Sequence, residues 1–146
     1  MVKVLDENLP DHVGIRLLRA YEVWKSEFVG RMNAAGHDWF TPARANLLGH
    51  LARTGTPQSV LIERTGVTKQ AVQQTVDALV AAGILERVPD PADRRGRIVR
   101  YTDAGHAAMA DADRIKHEIE AAMRGRLGRS RFDQLCGLLG EIADAD

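Results

Sequence analysis

The chain has a single cysteine, Cys136, so no disulfide can form within it. Its five histidines (His12, His37, His50, His106, His117) never fall at a zinc-ligand spacing, and the sequence implies no metal and no other cofactor. Aromatic residues make up only 5%, so Ala, Leu, Val and Ile must fill most of the core. No apolar run approaches the roughly 18 residues of a membrane span. The stretch Met1–Asn8 carries charges where a secretory signal needs an apolar run, so a cytoplasmic location and no membrane partner are expected. No Gly-rich phosphate loop and no Ser/His/Asp or Cys/His arrangement stands out. The sequence therefore reads as a non-enzyme.

Net charge is also lacking, at zero, which at first argues against a nucleic-acid partner. Its distribution argues the other way. Residues 41–101 hold nine cations against five anions, net +4, whereas residues 1–40 sum to −1 and residues 102–146 to −3. A basic middle between acidic ends is the footprint of a DNA-binding segment flanked by parts with another task.

Hydrophobic periodicity divides the chain accordingly. Residues 10–31 repeat apolar positions at helical spacing: Val13, Leu17, Tyr21, Trp24 and Phe28. Thr41-Pro42 starts a helix with Leu47, Leu48 and Leu51 on its apolar face and Gly55 as its stop. Thr56-Pro57 repeats that start signal for a short helix that breaks at Thr65-Gly66. Thr68 then caps a longer helix to Ala82, with Val72, Val76, Leu79 and Val80 inward and Gly83 as its stop. A short helix, a tight turn and a longer helix make helix-turn-helix spacing. Ile84–Val88 and Arg97–Tyr101 read as two strands joined by a long polar tip, Pro89–Gly96. Thr102 caps a helix with a stripe of Ala108, Ala112, Ile115, Ile119, Ala122 and Met123. After a break at Gly128, a last helix carries Phe132, Leu135, Cys136, Leu139 and Ile142. The expected fold is mainly α with a small β-wing: a winged helix-turn-helix at 37–101 between dimerisation helices at 1–36 and 102–146.

The side of the Thr68–Ala82 helix opposite its apolar face carries Lys69, Gln70, Gln73, Gln74 and Asp77. Gln can bond adenine through both amide groups, and Lys can reach guanine or phosphate. With Thr68, the Lys and the three Gln sit toward the N-terminal half, the end of a recognition helix that meets bases. A solvated polar face is the plainer alternative, and the wing shifts the balance. Arg94, Arg95 and Arg97 crowd its tip, and a guanidinium suits a narrow minor groove. Asp93 is expected to pair with a neighbouring Arg and fix the tip's shape. Two terminal helices with apolar faces cannot fully cover each other in a small subunit, so a second copy is expected as their partner. Cys136 lies on an apolar stripe and is expected to be buried and inert.

Five stretches resemble the multiple antibiotic resistance regulator (MarR) family: Phe40-Thr-Pro-Ala-Arg-Ala-Asn-Leu-Leu, Gly66-Val-Thr-Lys-Gln-Ala-Val, Val76-Asp-Ala-Leu-Val-Ala-Ala-Gly-Ile-Leu-Glu-Arg, Asp90-Pro-Ala-Asp-Arg-Arg and Val99-Arg-Tyr-Thr-Asp-Ala-Gly. The resemblance implies a transcriptional regulator, most often a repressor, binding a pseudo-palindromic operator in double-stranded DNA as a homodimer. It gives Asp93 a structural place in the wing and Arg95 the minor-groove position. Gln73 and Gln74 stand where many members carry Arg or Ser, and Tyr101 stands where Leu is usual. The resemblance also implies a small aromatic or anionic effector between dimer helices and reading head, for which Arg16, Arg19, Trp39 and His50 are the candidates. The competing class is a winged helix used for protein contact without ligand control.

Overall fold

The computed structural model describes residues 10–144; the charged stretch Met1–Asn8 read above lies outside them. Four helix starts are fixed by side chains that accept an otherwise orphaned backbone N–H. His12 caps α1 (Val13–Ala34) through Ile15, and Thr41 caps α2 (Pro42–Leu48) through Arg44. Thr68 caps α4 (Lys69–Ala81) through Ala71, and Thr102 caps α5 (Asp103–Leu127) through Gly105. Between them α3 (Gln58–Thr65) ends at Gly66, whose φ of +68° is the left-handed conformation that turns the chain into α4. The last helix, α6 (Arg129–Ala143), follows Gly128.

Three strands, β1 (Thr56–Pro57), β2 (Leu85–Asp90) and β3 (Asp93–Tyr101), form an antiparallel sheet in the order β1-β3-β2. Here the structure departs from the expectation for Thr56-Pro57. The dipeptide is a strand paired with Val99 and Ile98, and the expected short helix still starts directly after it, with Pro57 at the N-cap but no side-chain cap bond from Thr56. The Thr56 hydroxyl is turned back to accept from the Ala52 N–H at 3.0 Å. α2 also stops earlier than expected, at a Gly49 cap.

One core joins the head to the terminal helices. Leu61 of α3, Val72, Val76 and Leu79 of α4, and Leu85 and Val99 of the sheet are fully buried, as are Met32 of α1 and Ile119 of α5. Each such side chain contributes about 1.5–3 kcal/mol by leaving water. Ala108, Ala112 and Ile115 continue the buried stripe of α5, but Ala122 is exposed. The far ends of the terminal helices are uncovered within one chain. Val13, Leu17, Leu18 and Tyr21 of α1 and Leu138, Leu139 and Ile142 of α6 all face outward. Cys136 is exposed, contrary to the buried position expected of it. Within α6 only Phe132 is buried, Leu135 is half-buried, and Cys136, Leu138, Leu139 and Ile142 are exposed. Among the described residues no helix is long and apolar enough to cross a membrane.

Candidate nucleic-acid interface and cavity

The wing differs in detail from a long loop. β2 and β3 pair in regular register from Leu85↔Tyr101 to Pro89↔Arg97, then jump to Asp90↔Asp93. Arg94, Arg95 and Gly96 are thereby left as a bulge on β3 with no residue opposite, and only Pro91 and Ala92 turn the hairpin. Two aspartates shape it. Asp90 Oδ1 accepts from the Ala92 N–H and Asp93 Oδ1 from the Arg95 N–H, both at 2.9 Å. Asp93 thus holds the tip through the backbone of Arg95, where a side-chain pair with Arg was expected. A Cβ at Gly96 would press to 3.2 Å on the Asp93 carboxylate, which would have to shift by a few tenths of an ångström. The bulge projects Arg94 and Arg95 into solvent, and Arg97 follows, also exposed.

On α4, Thr68, Lys69, Gln70, Gln73 and Gln74 are all exposed. An open groove runs between α3, α4 and the wing. The structure brings Lys69, Gln73, Asp93, Arg95 and Arg97 to its walls, while Thr68, Gln70, Gln74 and Arg94 stand outside it. Sequence reasoning missed the residue that sets its width. Arg87 of β2 donates through Nε to Gln58 of α3 at 2.9 Å and pairs through Nη1 with Asp77 of α4 at 2.7 Å. One guanidinium therefore ties wing, α3 and α4 together. Its remaining amino group, Nη2, is buried without a partner. The signal in the sequence was an Arg on the strand between Glu86 and Val88, with an acid, Asp77, on the polar face of α4.

A second feature lies where α1, α2, α5 and the end of β3 meet: a cavity of about 180 Å³. Its aromatic wall is continuous, with Trp24 5.3 Å from Phe28 and Phe28 edge-on to Phe40 at 5.2 Å. Tyr21 and Tyr101 complete it. Three cations line the same space, each over a ring: Lys25 over Tyr21, Lys116 over Phe28 and Arg53 over Tyr101, at 5.6, 5.4 and 5.9 Å. Arg53 is also held by Asp113 at 2.8 Å. Burial pushes the Tyr101 phenol up to about 12. None of Arg16, Arg19, Trp39 and His50 lines this cavity. Arg16 is paired with Asp11 at 2.7 Å on the surface, Arg19 is exposed, and Trp39 packs edge-on to His37 and Phe40. His50 is half-buried. The aromatic stripe of α1 and its neighbour Lys25 were the legible signal for the cavity.

A three-helix head with a two-residue β1, a hairpin wing and flanking long helices is a winged helix-turn-helix. Residues 40–96 match the MarR family. The chain is 30% identical to the transcriptional repressor CouR, solved bound to a 23-mer DNA duplex, with 90% of this chain and 92% of that one covered at a TM-score of 0.72. CouR has also been solved bound to p-coumaroyl-CoA. Similarity extends to BpsR of Bordetella bronchiseptica, whose DNA binding is regulated by 6-hydroxynicotinic acid, at 25% identity over 94% of this chain and all of that one, with a TM-score of 0.70. The HTH-type transcriptional repressor NicR of Pseudomonas putida is 29% identical over 61% of this chain, and the match spans only 56% of NicR. The chain belongs to the MarR family of transcriptional regulators.

Proposed function

We propose that the chain is a repressor that binds a pseudo-palindromic operator as a homodimer and is released by a small aromatic anion. The observation that carries this reading is the groove, whose walls set Lys69 and Gln73 of α4 against Arg95 and Arg97 of the wing, with no carboxylate paired to any of the four among the described residues. In the proposed complex α4 enters the major groove, with Lys69, Gln70, Gln73 and Gln74 reading base edges and Thr68 near the backbone. Arg95 enters the adjacent minor groove, while Arg94 and Arg97 meet phosphates. The uncovered apolar ends of α1 and α6 support the second copy. The cavity supports the effector: aromatic walls match a planar ring, and Lys25, Arg53 and Lys116 offer charge to a carboxylate.

Selection from random DNA tests the reading. The expected product is an inverted repeat with half-sites about one helical turn, roughly 10 base pairs, apart. On that operator Arg95→Ala should weaken binding by about 10- to 100-fold with the dimer intact. An unchanged affinity, or binding insensitive to added salt, would instead favour a winged helix that contacts protein.

A further inference from the structure

The three cations of the cavity are not equally partnered. Lys25 of α1 pairs with no carboxylate among the described residues. Arg53 and Lys116 share one, Asp113 of α5, at 2.8 and 3.8 Å. Asp113 is not itself a wall of the cavity. Arg53 holds it by a single bond from Nη2, and no bond from its Nε or Nη1 forms among the described residues. The pair is open, with side chains 45% and 51% exposed, and an exposed one-point ion pair is weak and exchangeable. It nonetheless joins two parts of the molecule. Arg53 belongs to the turn between α2 and β1, and that turn is fixed to the wing strand β3. The Ala52 N–H donates to Thr56, and Thr56 pairs with Val99. Gly55 passes so close to β3 that a Cβ on it would come to 3.0 Å from Ile98. The pair therefore ties the turn that supports the wing to α5, beside the cavity.

We propose that the effector's carboxylate displaces Asp113 from Arg53, so that Asp113 is an internal competitor for the anion and its release unties the wing's turn from α5. A carboxylate matches the guanidinium fork with two parallel bonds, a geometry that the single bond to Asp113 leaves unused. Two carboxylates on one guanidinium repel each other, so the bidentate one keeps it. Arg53 already lies over the Tyr101 ring, 5.9 Å from its centre, and lines the cavity, so it need not enter the site to take the anion. The volume of about 180 Å³ suits a single ring, since a cavity of about 150 Å³ holds benzene. By linkage, a chain without the pair should bind the effector more tightly and the operator more weakly. The inference rests on the aromatic-anion reading above and deepens it by assigning the contact through which that anion reaches the wing.

Asp113→Asn tests it, with benzoate, one ring and one carboxylate, as the probe. In calorimetric titrations without DNA, Asp113→Asn should bind benzoate about two- to fivefold more tightly than the unaltered chain, the range that an exposed ion pair can contribute. On the selected operator without benzoate, the same variant should bind about two- to fivefold more weakly. Asp113→Glu keeps the carboxylate and should bring both affinities back toward the original. Arg53→Gln should weaken benzoate by about tenfold, and in that background Asp113→Asn should change nothing further. A benzoate affinity that Asp113→Asn does not raise, or raises equally without Arg53, would overturn the competition. An operator affinity that Asp113→Asn leaves unchanged would overturn the tie to the wing. Benzoate that binds neither the unaltered chain nor Asp113→Asn would remove the aromatic-anion reading itself, and this inference with it.

Discussion

The same substitution at two glycines of α5 should have opposite effects. Gly105 sits in the first turn of α5, buried against the base of the wing, and a Cβ there would collide with the Ile84 carbonyl oxygen and approach the Tyr101 ring to 3.1 Å. That carbonyl cannot easily yield, because it accepts from the Thr102 N–H at 3.0 Å and lies 3.2 Å from the Thr102 hydroxyl. Gly105→Ala gains about 1 kcal/mol of helix propensity. Overpacking against backbone costs about 3 kcal/mol. The net loss is about 2 kcal/mol, or about 4–8 °C in Tm for a chain of this size. Gly125, in the same helix, has nothing within 4 Å of its absent Cβ. Gly125→Ala should therefore keep the propensity gain, about 0.5–1 kcal/mol, and melt higher. Thermal unfolding at one fixed protein concentration measures both, since formation of the proposed dimer would make Tm concentration-dependent. A Gly105→Ala variant that melts at or above the unaltered chain would refute the close approach of α5 to the wing.

Three further outcomes are expected. Asp93→Ala removes the acceptor for the Arg95 N–H, so operator affinity should fall even though the wing becomes more positive; tighter binding would mean that charge, not shape, governs the tip. Tyr101 has its pKa raised by burial from 10.0 to about 12, so its contribution to stability is complete below the ordinary value and is lost as pH climbs to the raised one. That loss is about 2.7 kcal/mol, and Tyr101→Phe should remove it from alkaline denaturant titrations. The His37 ring holds the Asp111 carboxyl below its ordinary value through a 2.8 Å hydrogen bond. This pair supports the fold above the ordinary carboxylate pKa of 3.8 and fails as pH falls below it, so Asp111→Asn should flatten the acid limb of the stability curve.

Local chemistry was the most legible part of the fold. Thr41, Thr68 and Thr102 were readable as caps because each bonds an N–H three residues away, and Gly66 because only one tight turn fits between α3 and α4. Thr56-Pro57 carries the same local signal as Thr41-Pro42 and also precedes a helix, but its partner in β3, some forty residues on, adds a strand there and Thr56 caps Ala52 instead of α3. The wing's composition announced a turn, but its shape depends on which backbone N–H each aspartate captures. Cys136 was misplaced because periodicity reports an apolar stripe without saying whose surface covers it. The cavity was the least legible feature. It forms where four elements meet, and the rotation of α1 that turns Lys25 inward and leaves Arg16 and Arg19 outside is set by packing on α5 rather than by sequence spacing.

α5 is one unbroken helix of 25 residues, about 37 Å long. Its first turn is bonded to the wing's base through the Thr102 hydroxyl and the Gly83 carbonyl, its middle supplies Ala112 and Lys116 to the cavity, and its far end carries α6. A rotation of α5 about the cavity would make it a lever. A tilt of about 10° about that point would move the wing end by about 3 Å, close to one base-pair step along a duplex. A molecule as small as one aromatic ring, wedged at the pivot, would then only have to rotate this beam slightly to throw two reading heads out of phase with the helical repeat. Spin labels on the two wings of a dimer would report that change as a distance.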